Sequence, residues 1–325
     1  MVLKIDLRVE IAGRLAKGER LSTAVTVVAP HGRREPQARM VLFAWPGGGY
    51  SRQYFDLQLR DRRDYSQAEY HAGHGHVFVA CDHIGVGESS LPEGAFNHAE
   101  IAAINAFTAA EVLQRLRDGT LDERLPPVQQ PTTIGMGQSY GGLLLTILQA
   151  EHPTFDGVAM LGWSAVCTTV STGQLSEREL QGRMASNRGV DHPYRGVFHY
   201  HDVPDDIVTE DLTGYPERPD RPRPAWASAH MPGGPNLSPE RGPLGPNVVV
   251  GEAAAIEVPV LVANGEVDVC PNPRTEPAAY ASSTDITTFV VPRSGHMHNF
   301  AGTRHLLWRR VESWAGGVAP TSAVI

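Results

Sequence analysis

The sequence predicts an α/β protein, with a mostly parallel eight-stranded sheet and helices on both faces. Short continuous apolar runs, such as Met40 to Trp45 ("MVLFAW") and His76 to Asp82 ("HVFVACD"), suit strands buried on both sides. Segments of helical spacing separate these runs, and strands alternating with helices imply parallel strands joined by crossovers. At 325 residues the chain has room for one large domain with an insertion.

Taken in order, Val2 to Val9 and Leu21 to Ala29 alternate as two antiparallel strands at a sheet edge would. Those edge strands could pair between subunits of a homo-oligomer or simply finish the sheet. Met40 to Trp45 follows, ending in "PGGGY". Tyr54 to His71 is charged and aromatic with helical spacing, its stretch "LRDRRDYSQAEYH" reading as a solvated face. After the strand His76 to Asp82, His98 to Arg117 is a long amphipathic helix rich in Ala, Glu and Leu. Thr132 to Ile134 is a short strand, and Leu143 to Leu148 an apolar helix. Phe155 to Trp163, Val258 to Gly265 and Asp285 to Pro292 complete the strands. Thr275 to Ser283 is helix-like, and Gly302 to Gly316 closes the chain with Leu306, Leu307, Val311 and Trp314 on one face. Between two buried strands, residues 166–256 replace a simple crossover. Thr172 to Arg188 is helical in pattern and the rest is dense in Pro and Gly, which predicts a cap or lid over the strand ends. The core is then residues 1–165 and 257–325.

A formal charge of -8 leaves no basic surplus for nucleic acid or an anionic membrane. Cys81, Cys167 and Cys270 are too few, and odd in number, for a disulfide framework. The N-terminus lacks an apolar core followed by a small-residue cleavage site, and no apolar run approaches the ~20 residues of a spanning helix. A soluble, cytoplasmic, reduced protein is expected.

The chemistry begins at Gly137-Gln138-Ser139-Tyr140-Gly141, between a strand and a helix. So sharp a turn crowds the backbone, and glycines two before and two after the serine relieve it. The alternative is a glycine-relieved turn without chemistry. A nucleophilic serine needs a base, a carboxylate to orient the base, and donors for an oxyanion. The candidates are His296 in "VPRSGHMHNF" and Asp268 in "VLVANGEVDV", with His298 and Glu266 as their respective rivals. For the oxyanion they are the backbone N–H groups of Tyr140 and of Gly48 or Gly49 in "WPGGGY". One such donor is worth about 2.7–4 kcal/mol in the transition state.

The chain order Ser139, Asp268, His296 is that of α/β-hydrolases. "CDHIGVGESS" resembles the D-x-x-G-x-G-x-S turn of that superfamily, at Asp82, Gly85, Gly87 and Ser89. With G-x-S-x-G, the glycine loop, G-x-x-D and S-G-H, the resemblance spans nearly the whole chain. It implies an α/β-hydrolase fold with a cap and a catalytic triad of Ser139, Asp268 and His296. Asp82 is then a structural turn residue, and G-x-x-D favours Asp268 over Glu266. The chain departs from many members in having Trp45-Pro46-Gly47-Gly48-Gly49 where they have His-Gly, which leaves the second oxyanion donor open. A serine at position 139 argues against dehalogenase or epoxide hydrolase chemistry, which use aspartate there in this family. "WPGGGYSRQYFDLQ" and "SYGGLLLTILQAEHP" also resemble bacterial hydrolases that open the lactone of zearalenone.

The resemblance therefore implies a serine hydrolase acting on a small-molecule ester or lactone through an acyl-enzyme, with no cofactor. Trp163, Phe198, Tyr200, His201, Trp226 and Met231 are candidates for an apolar pocket. An acyltransferase, or a ligand-binding relative with little turnover, are the readings of other classes. Two histidine clusters raise a metal. His71, His74 and His76 lie about 20 Å from Asp82 and His83 if the strand runs at ~3.3 Å per residue. His199, His201 and Asp202 lack the further residues of a di-metal signature. No metal is expected.

Overall fold

The computed structural model describes residues 2–31, 40–168, 195–214 and 248–320. One eight-stranded sheet organises them, in the order β1-β2-β4-β3-β5-β6-β7-β8. Its strands are β1 Val2–Ile11, β2 Leu21–Pro30, β3 Met40–Trp45, β4 Val77–Cys81, β5 Thr132–Gln138, β6 Gly157–Leu161, β7 Val260–Gly265 and β8 Ile286–Val291. β2 pairs antiparallel with β1 and with β4, and every other neighbour is parallel. The expected mostly parallel sheet of eight strands is the one observed, with β1 at its edge.

The helices are α1 Gln67–Gly73, α2 His98–Asp118, α3 Tyr140–Glu151, α4 Arg195–Phe198, α5 Asp205–Gly214, α6 Val250–Ala255 and α7 Arg304–Ala315. One apolar layer packs α2, α3 and α6 on one face of the sheet. A second packs α1, α7 and part of α5 on the other. β3 and β4 are buried at every position, as strands covered on both sides must be. α2 starts at a capping box, where Asn97 Oδ1 accepts from Glu100 N and Glu100 Oε2 accepts from Asn97 N. It stops at Gly119, whose φ of 66° suits a residue without Cβ.

Three expectations need correction. Tyr54 to His71 is not one helix: a 3₁₀ turn covers Arg52–Phe55, and α1 begins only at Gln67. The charged stretch between them is a loop, because Asp56 draws Ser66 Oγ and Lys4 Nζ to its carboxylate, while Ser66 Oγ caps α1 at Glu69 N. Asp61 and Asp64 have φ of 56° and 64°, which no helix accommodates. In Thr275 to Ser283 only the 3₁₀ turn Glu276–Ala279 forms, with proline in its first turn. On α7 the buried face carries Leu307, Trp308, Val311 and Trp314, while Leu306 is half-buried.

Of the expected insertion, α4, α5 and α6 are described, and Thr172 to Arg188 lies outside the described residues. α6 and its flanks bury Val249, Ala253 and Ile256 in the α3-side core. No helix among the described residues is long and apolar enough to cross a membrane. Cys81, Cys167 and Cys270 are free thiols.

Asp82, at the end of β4, is fully buried and accepts from Arg52 N, Arg52 Nη1 and Glu88 N, at 2.6, 2.6 and 2.9 Å. It thereby ties the turn after β4 to the segment that follows the glycine loop. Removing one member of a buried pair strands the other charge. Asp82→Ala is expected to lose about 3–5 kcal/mol of stability, read as a lower urea midpoint with an unchanged m-value.

Candidate active site

Ser139 stands between the last residue of β5 and the first of α3, with φ 53° and ψ -118°. A side chain in that region is strained by about 1–3 kcal/mol. The flanking glycines are obligatory by close approach. A Cβ on Gly137 would sit 2.3 Å from Gly141 O, and one on Gly141 would sit 2.4 Å from Trp45 O. Ser139 N donates to Leu161 O at 2.8 Å, which fixes the turn against β6. Although Ser139 occupies the N-cap position of α3, its side chain makes no capping hydrogen bond. Ser66 and Asn97, at the N-caps of α1 and α2, both do.

The glycine loop lies directly beside the serine. A Cβ on Gly47 would fall 3.0 Å from Ser139 Cβ and 2.3 Å from Gln138 Oε1. Tyr50 N donates to Gly47 O at 3.2 Å, so Gly48 and Gly49 form the tip of a tight turn. Gly49 has φ 89°. His83 holds the start of this loop, its Nε2 being 3.0 Å from Pro46 O while Asn105 Nδ2 donates to its Nδ1. Burial pushes the His83 imidazole down to about 4. Tyr140 is the first residue of α3, so its N–H is among the four that a helix leaves without an internal partner.

His296 and Asp268 come together as the spacing anticipated. His296 Nδ1 is 2.7 Å from Asp268 Oδ1, and both side chains are buried. Burial alone would push the Asp268 carboxyl up. The electrostatic pull of His296 and the hydrogen bonds from His296 and His298 hold it well below the usual carboxylate range. The rival Glu266 is engaged elsewhere, accepting from Tyr200 Oη and Arg293 N. The rival His298 does not turn toward the serine; its Nε2 meets Asp268 Oδ2 at 2.8 Å.

Gln138 is a residue that the sequence treated only as a variable position of the motif. Its side chain is buried against His296, with Nε2 at 3.4 Å from His296 Nε2 and 3.2 Å from His296 O. An amide N–H facing Nε2, with Asp268 accepting at Nδ1, fits an imidazole protonated on Nδ1 and open on Nε2. Ser139 Oγ and His296 share no hydrogen bond in this arrangement; the Gln138 amide meets the His296 ring instead. Catalytic hydrogen bonds often tighten only with substrate in place. The signal that could have marked Gln138 is its position, since a polar residue ending a buried strand must find a partner.

The pocket candidates divide. The Phe198 ring is 5.5 Å from the His296 ring, and Phe198 O accepts from Met297 N at 2.8 Å. Tyr200 is half-buried beside Glu266, with its ring 4.3 Å from that of the exposed His201. Trp163 is buried in the α3-side core, where a Cβ on Gly142 would touch it at 2.7 Å. Trp226 and Met231 lie outside the described residues. A cavity of ≈ 750 Å³ opens at the other end of the strands, lined by Thr133, Asp156 and Val258, and does not reach Ser139.

Among the described residues no group of three or more His, Cys, Asp or Glu is placed to hold a metal. Of the histidines that raised the question, His83 is held as above and His199 meets Asp211 at 2.7 Å. Asp211 also accepts from Tyr50 Oη at 3.0 Å. Asp202 is paired with Arg293.

No protein-family model and no curated protein matches the chain. Solved structures do. A thermophilic esterase from Thermogutta terrifontis superposes with a TM-score of 0.57 at 14% identity, covering 96% of this chain and 99% of the esterase. A haloalkane dehalogenase variant from Bradyrhizobium elkanii gives 0.59 at 16%, covering 98% and 99%. A peroxisomal alpha-beta-hydrolase from Saccharomyces cerevisiae gives 0.58 at 12%, covering 96% and 88%. Likeness at such identities speaks for architecture and not for substrate. With its sheet order and turn geometry, the chain has the α/β-hydrolase fold.

Proposed function

We propose that the protein is a serine hydrolase that cleaves a carboxylic ester or lactone of an apolar small molecule through an acyl-enzyme. The observation that carries this is the strained, uncapped serine at the end of β5. A serine whose only task was to bend the chain or start α3 would place its hydroxyl on the helix N–H groups, as N-cap residues do. Ser139 instead keeps its hydroxyl off the helix in a conformation that costs energy, and its chain neighbour Gln138 faces a buried imidazole–carboxylate pair. Strain maintained at such a place is a mark of function.

In this reading Ser139 Oγ attacks the carbonyl while His296 Nε2 takes its proton. Asp268 holds the Nδ1 tautomer and offsets the positive charge that forms. The oxyanion is received by Tyr140 N–H and a backbone N–H of Gly48 or Gly49. His296 then protonates the leaving oxygen, and water releases the acyl group by the same route. The mechanism needs no cofactor. Serine in place of aspartate separates it from the dehalogenase neighbour, whose reaction is its own.

The finer reading is a macrocyclic lactone such as zearalenone, supported by the sequence resemblance and by the Phe198 ring packed on His296. In a lactone the leaving alcohol stays tethered, so the site must hold it clear of the acyl carbon until water attacks. A turnover panel of short-chain esters, long-chain esters, small lactones and macrolactones should show preference for the macrolactone; preference for simple short esters excludes it.

The wild-type protein should give a stoichiometric burst with an activated ester, and Ser139→Ala should give none. The nearby Ser139→Gly variant should also be inactive, yet more stable than Ser139→Ala by about 1 kcal/mol, since glycine relaxes a positive φ; chemical denaturation reads the difference. Because Asp268 is held far below the ordinary carboxylate range, it stays ionised through mild acid. The acid limb of kcat/KM should therefore vanish with the base and not with the acid. In Asp268→Asn the tautomer support is lost, and kcat should fall about 10⁴-fold, as when the acid of a Ser-His-Asp triad is so replaced.

A further inference from the structure

The Asp268 carboxylate is surrounded by donors in a symmetrical way. Oδ1 accepts from Val269 N at 2.7 Å and faces His296 Nδ1 at 2.7 Å. Oδ2 accepts from Gly265 N at 2.7 Å and faces His298 Nε2 at 2.8 Å. A carboxylate has about four acceptor sites, so one backbone N–H and one imidazole on each oxygen fill it. His298 is buried, and its Nδ1 has no hydrogen-bond partner. A proton on that nitrogen would be buried without an acceptor, which is costly. The proton of His298 therefore belongs on Nε2, where it is donated to Asp268.

We propose that His298 is a positioning residue for the acid of the site, fixing the carboxylate plane in which Oδ1 meets His296 and sharing its negative charge. The inference rests on the assignment of Asp268 and His296 as acid and base. The terminal torsion of an aspartate is broad and two-fold, and the backbone donors alone touch each oxygen once. A second imidazole on Oδ2 locks the torsion from the side away from His296. It also draws part of the carboxylate charge away from His296, so that Asp268 supports the imidazolium without over-stabilising it. A base held too strongly protonated would be unavailable near neutral pH.

Other groups that sense this charge are few. Tyr54, whose hydroxyl accepts from Asn299 N, and Cys270 both lie within electrostatic reach of Asp268. Asp211 reaches Tyr54 from α5. Glu266 on the same loop is occupied by Tyr200 and Arg293. Phe198, the ring packed on His296, carries no charge.

The test combines kinetics with a readout that needs no turnover. His298→Ala should lower kcat about 10- to 100-fold with KM within about twofold, the loss of one hydrogen bond to a charged group. With a donor gone, more of the carboxylate charge falls on His296, so protonated His296 is favoured and the acid limb of kcat/KM should move up by about half a pH unit or more. His298→Gln offers an amide N–H of similar reach and should recover most of both effects. In the Ser139→Ala protein, proton NMR should show two downfield imidazole N–H resonances, and adding His298→Gln should remove one. A single resonance, an unmoved pH profile with only a lower melting temperature, or equal impairment of the Ala and Gln variants would overturn the inference. Absence of turnover with every ester and lactone, with both resonances present, would instead overturn the hydrolase reading and leave the hydrogen-bond arrangement standing.

Discussion

The space around residue 139 is the constraint on which the rest of the site depends. β5 passes into α3 without a connecting residue to spare, and backbone from three directions closes on the turn. Trp45 O presses on Gly141, Gly141 O presses on Gly137, and Gly47 lies against the serine itself. Only hydrogen can occupy positions 137 and 141, where a Cβ would meet backbone. The Ser139 side chain makes no capping hydrogen bond to the helix it precedes. The strain is sustained because its surroundings are rigid: Ser139 N is fastened to β6, and His83 fastens the glycine loop through Pro46 O.

A second layer of order comes from the loops beyond β7 and β8. Those two strands are parallel neighbours, with Gly265 opposite Val291, so the loop carrying Asp268 and the loop carrying His296 leave the sheet side by side. Their pairing is thus a consequence of strand order. The carboxylate is taken out of water, and four N–H groups replace its hydration. That is the condition under which a buried charge is tolerated.

The segment between β6 and β7 adjoins the same place. Asp211 on α5 joins Tyr50, next to the glycine loop, to His199, and the neighbouring Phe198 meets both the backbone and the ring of the histidine loop. Three loops and α5 are thereby held by buried hydrogen bonds, which specify geometry more sharply than apolar contact does. A shift of α5 would be felt by the glycine loop and by His296 together.

Much of this was legible in the chain itself. Apolar runs as long as one strand located central strands such as β3 and β4, because burial on both faces leaves no polar position to disguise them, while alternation located β1 and β2. Ser139, Asp268 and His296 could be chosen because each follows a strand, within three residues of a glycine, in the motifs G-x-S-x-G, G-x-x-D and S-G-H. Helix content was harder to read where local side-chain bonding competes with the helix: Asp56 and Ser66 divert the charged stretch before α1, and proline limits the segment at Glu276 to one 3₁₀ turn. What only the tertiary structure decided is which partners the buried polar groups find. That both histidines of "GHMH" bond one carboxylate, and that Gln138 faces His296, depends on side chains brought together from distant parts of the chain. Periodicity reports burial along a single element, whereas a hydrogen bond across elements is fixed only when the sheet order and its loops set the distance.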